Sequence, residues 1–256
     1  MRSFLIIIVT IVSVAATAQV KRTKVPSYFG FQVRPVFPTR FIGDPQLNLA
    51  TSATDTISFT TTFTQKIGYS FGGTVRAGIT KLIAIETGIN FTQRNFDIEM
   101  SVPDSNIYAT NDLSFITYDI PVNALFYIRL AEKWYMNASL GASLTFKPTD
   151  VAVTTSTGTP SSFIHAGFIR SKASFNLNAN VGFEFRTEKS GFFYLGGSGT
   201  VPFSPLFDLG ALYTYEGIDR NLSGEVDGSF LSIDFKYFFP NIRNKGVQFQ
   251  EGPITQ

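Results

Sequence analysis

The 256-residue chain contains no cysteine. That excludes disulfides, thiolate metal centres, iron–sulfur clusters, thiol nucleophiles and lipidated cysteines. Histidine occurs once, at His165, too sparse for a histidine-built metal site. Charged residues make up only 16%, against about 25% in ordinary soluble proteins. Lysine plus arginine nearly balance aspartate plus glutamate, 21 to 19. With no concentrated basic face, this argues against a nucleic-acid partner. Beyond residue 18 there is no apolar run long enough for a membrane helix, no helical period and no fixed-length repeat. The glycine in the Thr/Ser run 154–159 is not followed by a Gly-Lys-Ser/Thr pattern, so no phosphate loop is expected.

What the chain has in quantity is aromatic surface: 27 phenylalanines and 15% aromatics in all, with a mean hydropathy of +0.11. Its first residues stand apart. Arg2 supplies a positive start, residues 4–14 an apolar stretch, and Ala16-Thr17-Ala18 a small-residue cleavage site. Residues 1–18 are therefore expected to be a secretory signal peptide, too short to anchor as a membrane helix. Residues 19–239 are expected to form one β domain and residues 240–256 a periplasmic tail.

Within that domain the pattern is alternation. Over residues 67–91, Ile67, Tyr69, Phe71, Val75, Ala77 and Ile79 share one face, and Ile83, Ile85, Ile89 and Phe91 continue it after a tight turn at Thr80-Lys81. The opposite face carries glycine, serine, threonine, Arg76 and Glu86. Side chains alternate across a strand, so each such stretch has a greasy and a small polar face. The same reading gives strands over 28–37, 113–128, 134–146, 171–186, 192–201 and 230–239. The eight strands are joined alternately by short turns and by long polar segments at 39–65, 95–112, 148–170 and 202–228. An extended hairpin at 57–63 and strand extensions near 209–215 are expected within those segments.

Periodicity alone does not say which face is inside. The polar faces are built from Gly, Ser, Asn and Thr, not from the Lys and Glu that coat a soluble barrel. Small polar residues suit the narrow interior of an eight-stranded barrel. Alternating short and long connections are the pattern of periplasmic turns and extracellular loops. Tyr28, Tyr69, Tyr118, Trp134 and Tyr237 fall near strand ends, where amphipathic rings favour the bilayer interface. The fold class expected is an all-β, eight-stranded antiparallel up-and-down transmembrane β-barrel, located in the outer membrane.

Tyr118-Asp119-Ile120-Pro121-Val122 with Leu125-Phe126-Tyr127, Gly141 within 137–144, Asn180-Val181-Gly182-Phe183-Glu184-Phe185, and the closing stretch 231–239 together resemble the Bacteroidota outer-membrane β-barrel family, PorT-like and of OmpA/OmpX type. Asn180 stands where that family has a first glycine. The resemblance implies an eight-stranded outer-membrane barrel and carries over no role in secretion.

The charged residues expected to line the lumen are Arg34, Arg76, Glu86, Arg94, Asp119, Glu184, Arg186, Asp234 and Lys236. Both signs are interspersed on neighbouring strands, so they are expected to form a mutually neutralising structural network that plugs the bore, with Arg76 and Glu86 paired across the first short turn. Pro121 is expected to mark a bulge or a missing ladder bond. His165, near Asp150, Ser161 and Ser162, reads as an exposed loop histidine, not as part of a catalytic rim. No catalytic, cofactor-binding or metal residue is expected, no cofactor, and no small-molecule substrate. The expected work is non-enzymatic, structural or binding, through four long extracellular loops. The alternatives are an accessory part of an envelope secretion or transport assembly, a narrow solute channel, and a rim-located enzyme. The partners expected are outer-membrane lipid and, for the accessory reading, an envelope protein.

Overall fold

The computed structural model describes residues 27–240, except 53, 54, 56, 81, 158–160, 188 and 189. The expected signal peptide at residues 1–18, the basic residues Lys21, Arg22 and Lys24, Lys81 of the expected first turn, and residues 241–256 of the expected tail lie outside the described residues.

Among the described residues there are thirteen strands: β1 Ser27–Phe37, β2 Gln46–Ala50, β3 Thr60–Gly78, β4 Ile83–Val102, β5 Ile107–Arg129, β6 Trp134–Phe146, β7 Val151–Ser156, β8 Ser161–Phe168, β9 Ala173–Arg186, β10 Phe192–Pro202, β11 Phe207–Tyr215, β12 Ile218–Val226 and β13 Phe230–Phe238. The expected count of eight is therefore too low. The long segments are not loops: 39–65 contains β2 and the start of β3, 95–112 is the end of β4 and the start of β5, 148–170 holds β7 and β8, and 202–228 holds β11 and β12.

All pairings are antiparallel. One sheet runs β1-β13-β10-β9-β6-β5-β4-β3-β2, and β1 also pairs with β3 over ten positions, from Ser27 opposite Ala77 to Val36 opposite Gly68. The ladder thus returns to its starting strand. A second sheet, β12-β11-β8-β7, lies apart from that circuit. Proline interrupts the ladder twice. Pairing of β4 with β5 lapses between Thr87–Val122 and Asn90–Asp119, around Pro121, with the register unchanged on either side. The missing ladder bond is there and the bulge is not. Pairing of β1 with β13 lapses in the same way around Pro35.

The outward face of the ring is apolar and open. Phe29, Phe31, Ile67, Phe71, Ile89, Val122, Leu140, Phe175, Phe183 and Phe235 are all exposed, several by half or more. A soluble monomer rarely shows a contiguous apolar patch beyond a few hundred Å². Trp134, Tyr69 and Tyr118 sit outward in this belt, but Tyr28 does not. Its ring points inward and meets Phe192 edge-on at 4.9 Å, because its parity matches Gln32 on the polar side of β1.

On β4 and β5 the inward face changes chemistry along its length without changing parity. On β4 it reads Ala84, Glu86, Asn90, Thr92 and Arg94, then Phe96, Ile98, Met100 and Val102, all buried. On β5 it reads Leu113 and Phe115, then Thr117 and Asp119, then Leu125 and Tyr127. On β3 the switch needs a register shift between Lys66 and Tyr69, where Lys66 and Ile67 are consecutively exposed. Above it Phe63 points in; below it Ser70, Thr74 and Arg76 do. A β-bulge does this by inserting an unpaired residue. The apolar upper parts of β2–β5 pack against the second sheet, and Phe59, Phe63, Phe96, Phe115, Phe163, Phe207, Leu209 and Tyr213 form the largest buried apolar cluster of the protein. This second body is called the cap.

Two glycines of the ring are required by a close approach. Gly182 and Gly196 face each other on β9 and β10, and the Tyr194 ring lies across both. A Cβ would meet the Tyr194 hydroxyl at 2.4 Å on Gly182 and 2.0 Å on Gly196. That hydroxyl donates to Asn180 Oδ1 at 2.5 Å, so the ring has little freedom to give way. Gly182→Val is expected to lower the midpoint of the heat-induced shift in gel migration and to destabilise by roughly 1–3 kcal/mol through overpacking. Ala138→Val, on an outward position of β6, is the control expected to change it little.

Candidate functional site

The interior of the ring is stacked in three levels. At the end carrying the short turns lies an aromatic floor of Tyr28, Phe192 and Phe238, with Tyr127 and Tyr135 beside it, all buried. They stand at strand ends on the inward parity. Phe192 and Phe238 stack at 4.5 Å between ring centres.

Directly against this floor sits a five-member ion network. Arg76 Nη2 donates to Glu86 Oε2 at 2.6 Å and Arg76 Nη1 to Glu184 Oε2 at 2.5 Å. Arg186 Nε reaches Glu184 Oε1 at 2.7 Å, and Lys236 Nζ reaches Glu86 Oε1 at 2.5 Å. The arginines also lie on aromatic faces. The Arg76 guanidinium is 4.2 Å from the Phe238 ring centre, and that of Arg186 is 4.2 Å from the Tyr135 ring centre. Planar, weakly hydrated guanidinium groups suit this double duty, pairing through the edge and stacking through the face.

Above the network is the polar middle level. Asp119 accepts from Thr92 at 2.7 Å and from Thr145 at 2.6 Å. Asp234 accepts from Asn180, Ser232 and Ser198 at 2.7, 2.8 and 3.1 Å. Gln32 donates to Asn90. A cavity of about 30 Å³ remains here, next to Pro121, Asn123, Arg34 and Lys236, room for one or two waters. Arg94 closes the level from above, donating to the Gly228 carbonyl and lying 4.6 Å from the Phe230 ring centre. The cap core begins at the next inward residue of β4, Phe96.

The nine charged residues singled out in the sequence therefore divide. Arg76, Glu86, Glu184, Arg186 and Lys236 meet in one network, and Arg76 is paired with Glu86. Arg34, Arg94, Asp119 and Asp234 do not join it, which corrects the expectation of a single neutralising set. The physical reason is height: these four stand further along the ring, where hydroxyls and an amide take Asp119 and Asp234 and a carbonyl takes Arg94, while the Arg34 Nε is buried without a hydrogen-bond partner. The floor aromatics were missed, although aromatic residues at strand ends on the polar parity were the available signal.

His165 is also corrected. It is fully buried in β8 and not on an exposed loop. Its Nε2 is 3.0 Å from Thr61 Oγ1 of β3, joining the two sheets of the cap. Asp150 accepts from the Ile169 amide, and Ser161 is hydrogen-bonded to Thr157. Among the described residues no group of three or more His, Asp or Glu could hold a metal ion.

Antiparallel strands whose ladder closes, greasy outside and polar inside, have the design rules of a membrane-spanning β-barrel protein. Residues 21–208 match the family described as outer membrane protein beta-barrel domain; the chain belongs to that family and is an outer-membrane β-barrel protein. No curated protein matches it. Among solved structures, the β domain of the Bordetella autotransporter Brka aligns over 84% of this chain and 100% of its own, at 6% identity and a TM-score of 0.21. A likeness of that size says nothing about this chain beyond the alignment itself.

Two outcomes are expected. Arg76→Met leaves Glu86 and Glu184 buried without their shared partner and should destabilise by about 3–5 kcal/mol; adding Glu184→Gln should recover part of the loss. Urea unfolding from lipid vesicles checks both. Burial lowers the His165 pKa from 6.5 to about 4, so the unfolded chain takes up the proton first as pH falls. Cap stability is then complete above about pH 6.5 and is lost progressively down to pH 4, on the order of 3 kcal/mol in full. Protease nicking of the cap across that window should rise in the parent protein and stay flat in His165→Leu.

Proposed function

We propose that this protein is a plugged outer-membrane scaffold with no enzymatic activity, whose work is to hold the cap at the cell surface as a structural or binding element. The eight strands of the closed circuit, β1, β3, β4, β5, β6, β9, β10 and β13, make the transmembrane wall. The short turns face the periplasm and the cap faces outward. The leader at residues 1–18 is removed on export across the inner membrane, and residues 240–256 form a periplasmic tail. Within the outer-membrane family, the chain sits with the PorT-like, OmpA/OmpX-type barrels on the strength of its 118–127 and 180–185 motifs.

The observation that carries this reading is the triple closure of the bore. A floor of stacked aromatics with an ion network against it, a polar middle level with space for one or two waters, and a phenylalanine-rich cap core lie one above another on the same inward face. A solute path would have to cross all three. Packed apolar cores and paired buried charges are both costly to open, since each removal leaves a cavity or an unpaired charge. The cap in turn is rigid enough to present a surface: two sheets enclose its core, and their seam is tied by Asn111 Nδ2 donating to Thr155 Oγ1 at 2.6 Å.

Purified protein in planar bilayers is expected to show no unitary current steps, and Phe192→Ala, which thins only the floor, is expected to stay silent. Regular steps from the parent protein would replace this reading with that of a narrow channel. Protease added to intact cells is expected to cut between β7 and β8; cutting only after the outer membrane is breached would invert the orientation.

A further inference from the structure

Where β2 of the first sheet comes beside β12 of the second, the cap holds a cavity separate from the plugged bore. Its volume is about 100 Å³, room for several waters. The lining is graded from outside to inside. Asp44 and Glu225 are exposed at the mouth, and Asp227 is half-buried beside them. Phe63 and Phe96 are buried at the inner end, with Leu47 half-buried between.

Gln65 belongs to the inner end. It is the last inward residue of β3 before the bulge, opposite Phe96 of β4, and is only 4% exposed. Its side chain borders the cavity, and its Nε2 has no hydrogen-bond partner. A buried amide without a partner is costly, so a polar group inside the cavity has something to gain there.

Water would satisfy that amide but would leave the charge of the mouth unanswered. Asp44 accepts from the Gln46 amide at 3.0 Å, and Asp227 accepts from the Ser229 and Asp44 amides at 2.9 and 3.2 Å. Glu225 pairs with Arg170 at 2.9 Å, but Arg170 is shared with Asp208. Arg94 attracts Asp227 from below, yet it also attracts Asp119 and gives its hydrogen bond to the Gly228 carbonyl. Among the described residues no basic side chain lines the cavity. Nor do its carboxylates converge as the ligands of one metal ion would. What fits is a cation with length, reaching from the mouth to Gln65.

We infer that this cavity binds one small alkyl ammonium ion with a second polar end, of the diamine or amino-alcohol class. The ammonium lies among Asp44, Glu225 and Asp227, the alkyl stem against Leu47, Phe63 and Phe96, and the far end on the Gln65 amide. A neutral polyol would meet the same hydrogen-bonding groups without answering the three carboxylates.

The inference names a ligand for the binding role proposed for the cap and rests on that reading; its test keeps the two apart. The full chain is purified in mild detergent, checked for folding by heat-modifiable migration, and titrated calorimetrically with putrescine. The uncharged diol of the same chain length is the control. One putrescine per chain is expected, with the diol about tenfold weaker or more. Asp44→Asn should weaken binding about threefold. Gln65→Leu, which removes the amide and keeps the bulk, should weaken it about tenfold. Glu99→Gln, on the exposed face of β4, should leave it unchanged. If Gln65→Leu does not fold, Asp44→Asn decides alone. A folded protein that binds no putrescine, binds the diol equally well, or binds putrescine undiminished as Asp44→Asn overturns the inference and leaves the scaffold reading standing. So does calcium binding in place of putrescine. Mass spectrometry is expected to recover the putrescine unchanged; a chemically altered molecule would support the site and overturn the non-enzymatic reading.

Discussion

The structure depends on β1 pairing with two partners at once. In hydrocarbon an unpaired backbone amide or carbonyl has no water to turn to, so a sheet with open edges is excluded. Strand β1 removes both edges of the circuit by bonding to β13 on one side and β3 on the other. Once the ladder closes, alternation does the rest: every second side chain must face outward and the others must share a narrow interior. The apolar outer belt, the small polar lining and the stacked charges all follow from that single constraint.

The interior solves two problems with one set of residues. Buried charges need partners, and a narrow ring needs filling. Arg76 does both, pairing with two glutamates through its edge while its face lies on Phe238. Higher up, Asp119 and Asp234 are held by hydroxyls and an amide instead of cations. Short polar side chains gather round each carboxylate there. The transition from this level to the cap core happens on one continuous face of β4, between Arg94 and Phe96, so the cap grows out of the wall and is not a separate domain hung on loops.

Much of the wall was legible in sequence because its alternation is contrasted: greasy residues against glycine, serine, asparagine and threonine. The strand at 134–146 was read to its observed ends. The cap was not legible because it was judged by composition. Asn95, Asp97, Glu99 and Ser101 made 95–112 look like a polar loop, although Phe96, Ile98, Met100 and Val102 alternate with them. There the polar residues face water and the apolar ones face the cap core, the reverse of the wall below. His165 was misplaced for the same reason: the segment around it is rich in serine and threonine, yet Phe163 and His165 share a buried face. The floor aromatics went unread because position along a strand, not residue type, sends a tyrosine such as Tyr28 to the floor and not to the membrane interface.

By itself the sequence determined the period, the contrast between faces, the absence of membrane helices and cysteine chemistry, and which charged residues share the polar face. Those are local properties, set by alternation and side-chain type. Only the tertiary structure decided which charges pair, that the long segments fold into a second sheeted body, and that Gln65 borders a cavity between the two sheets of the cap. These depend on height, on the bulge in β3 and on neighbours distant in sequence, and alternation along one strand carries no information about how far another strand is shifted beside it.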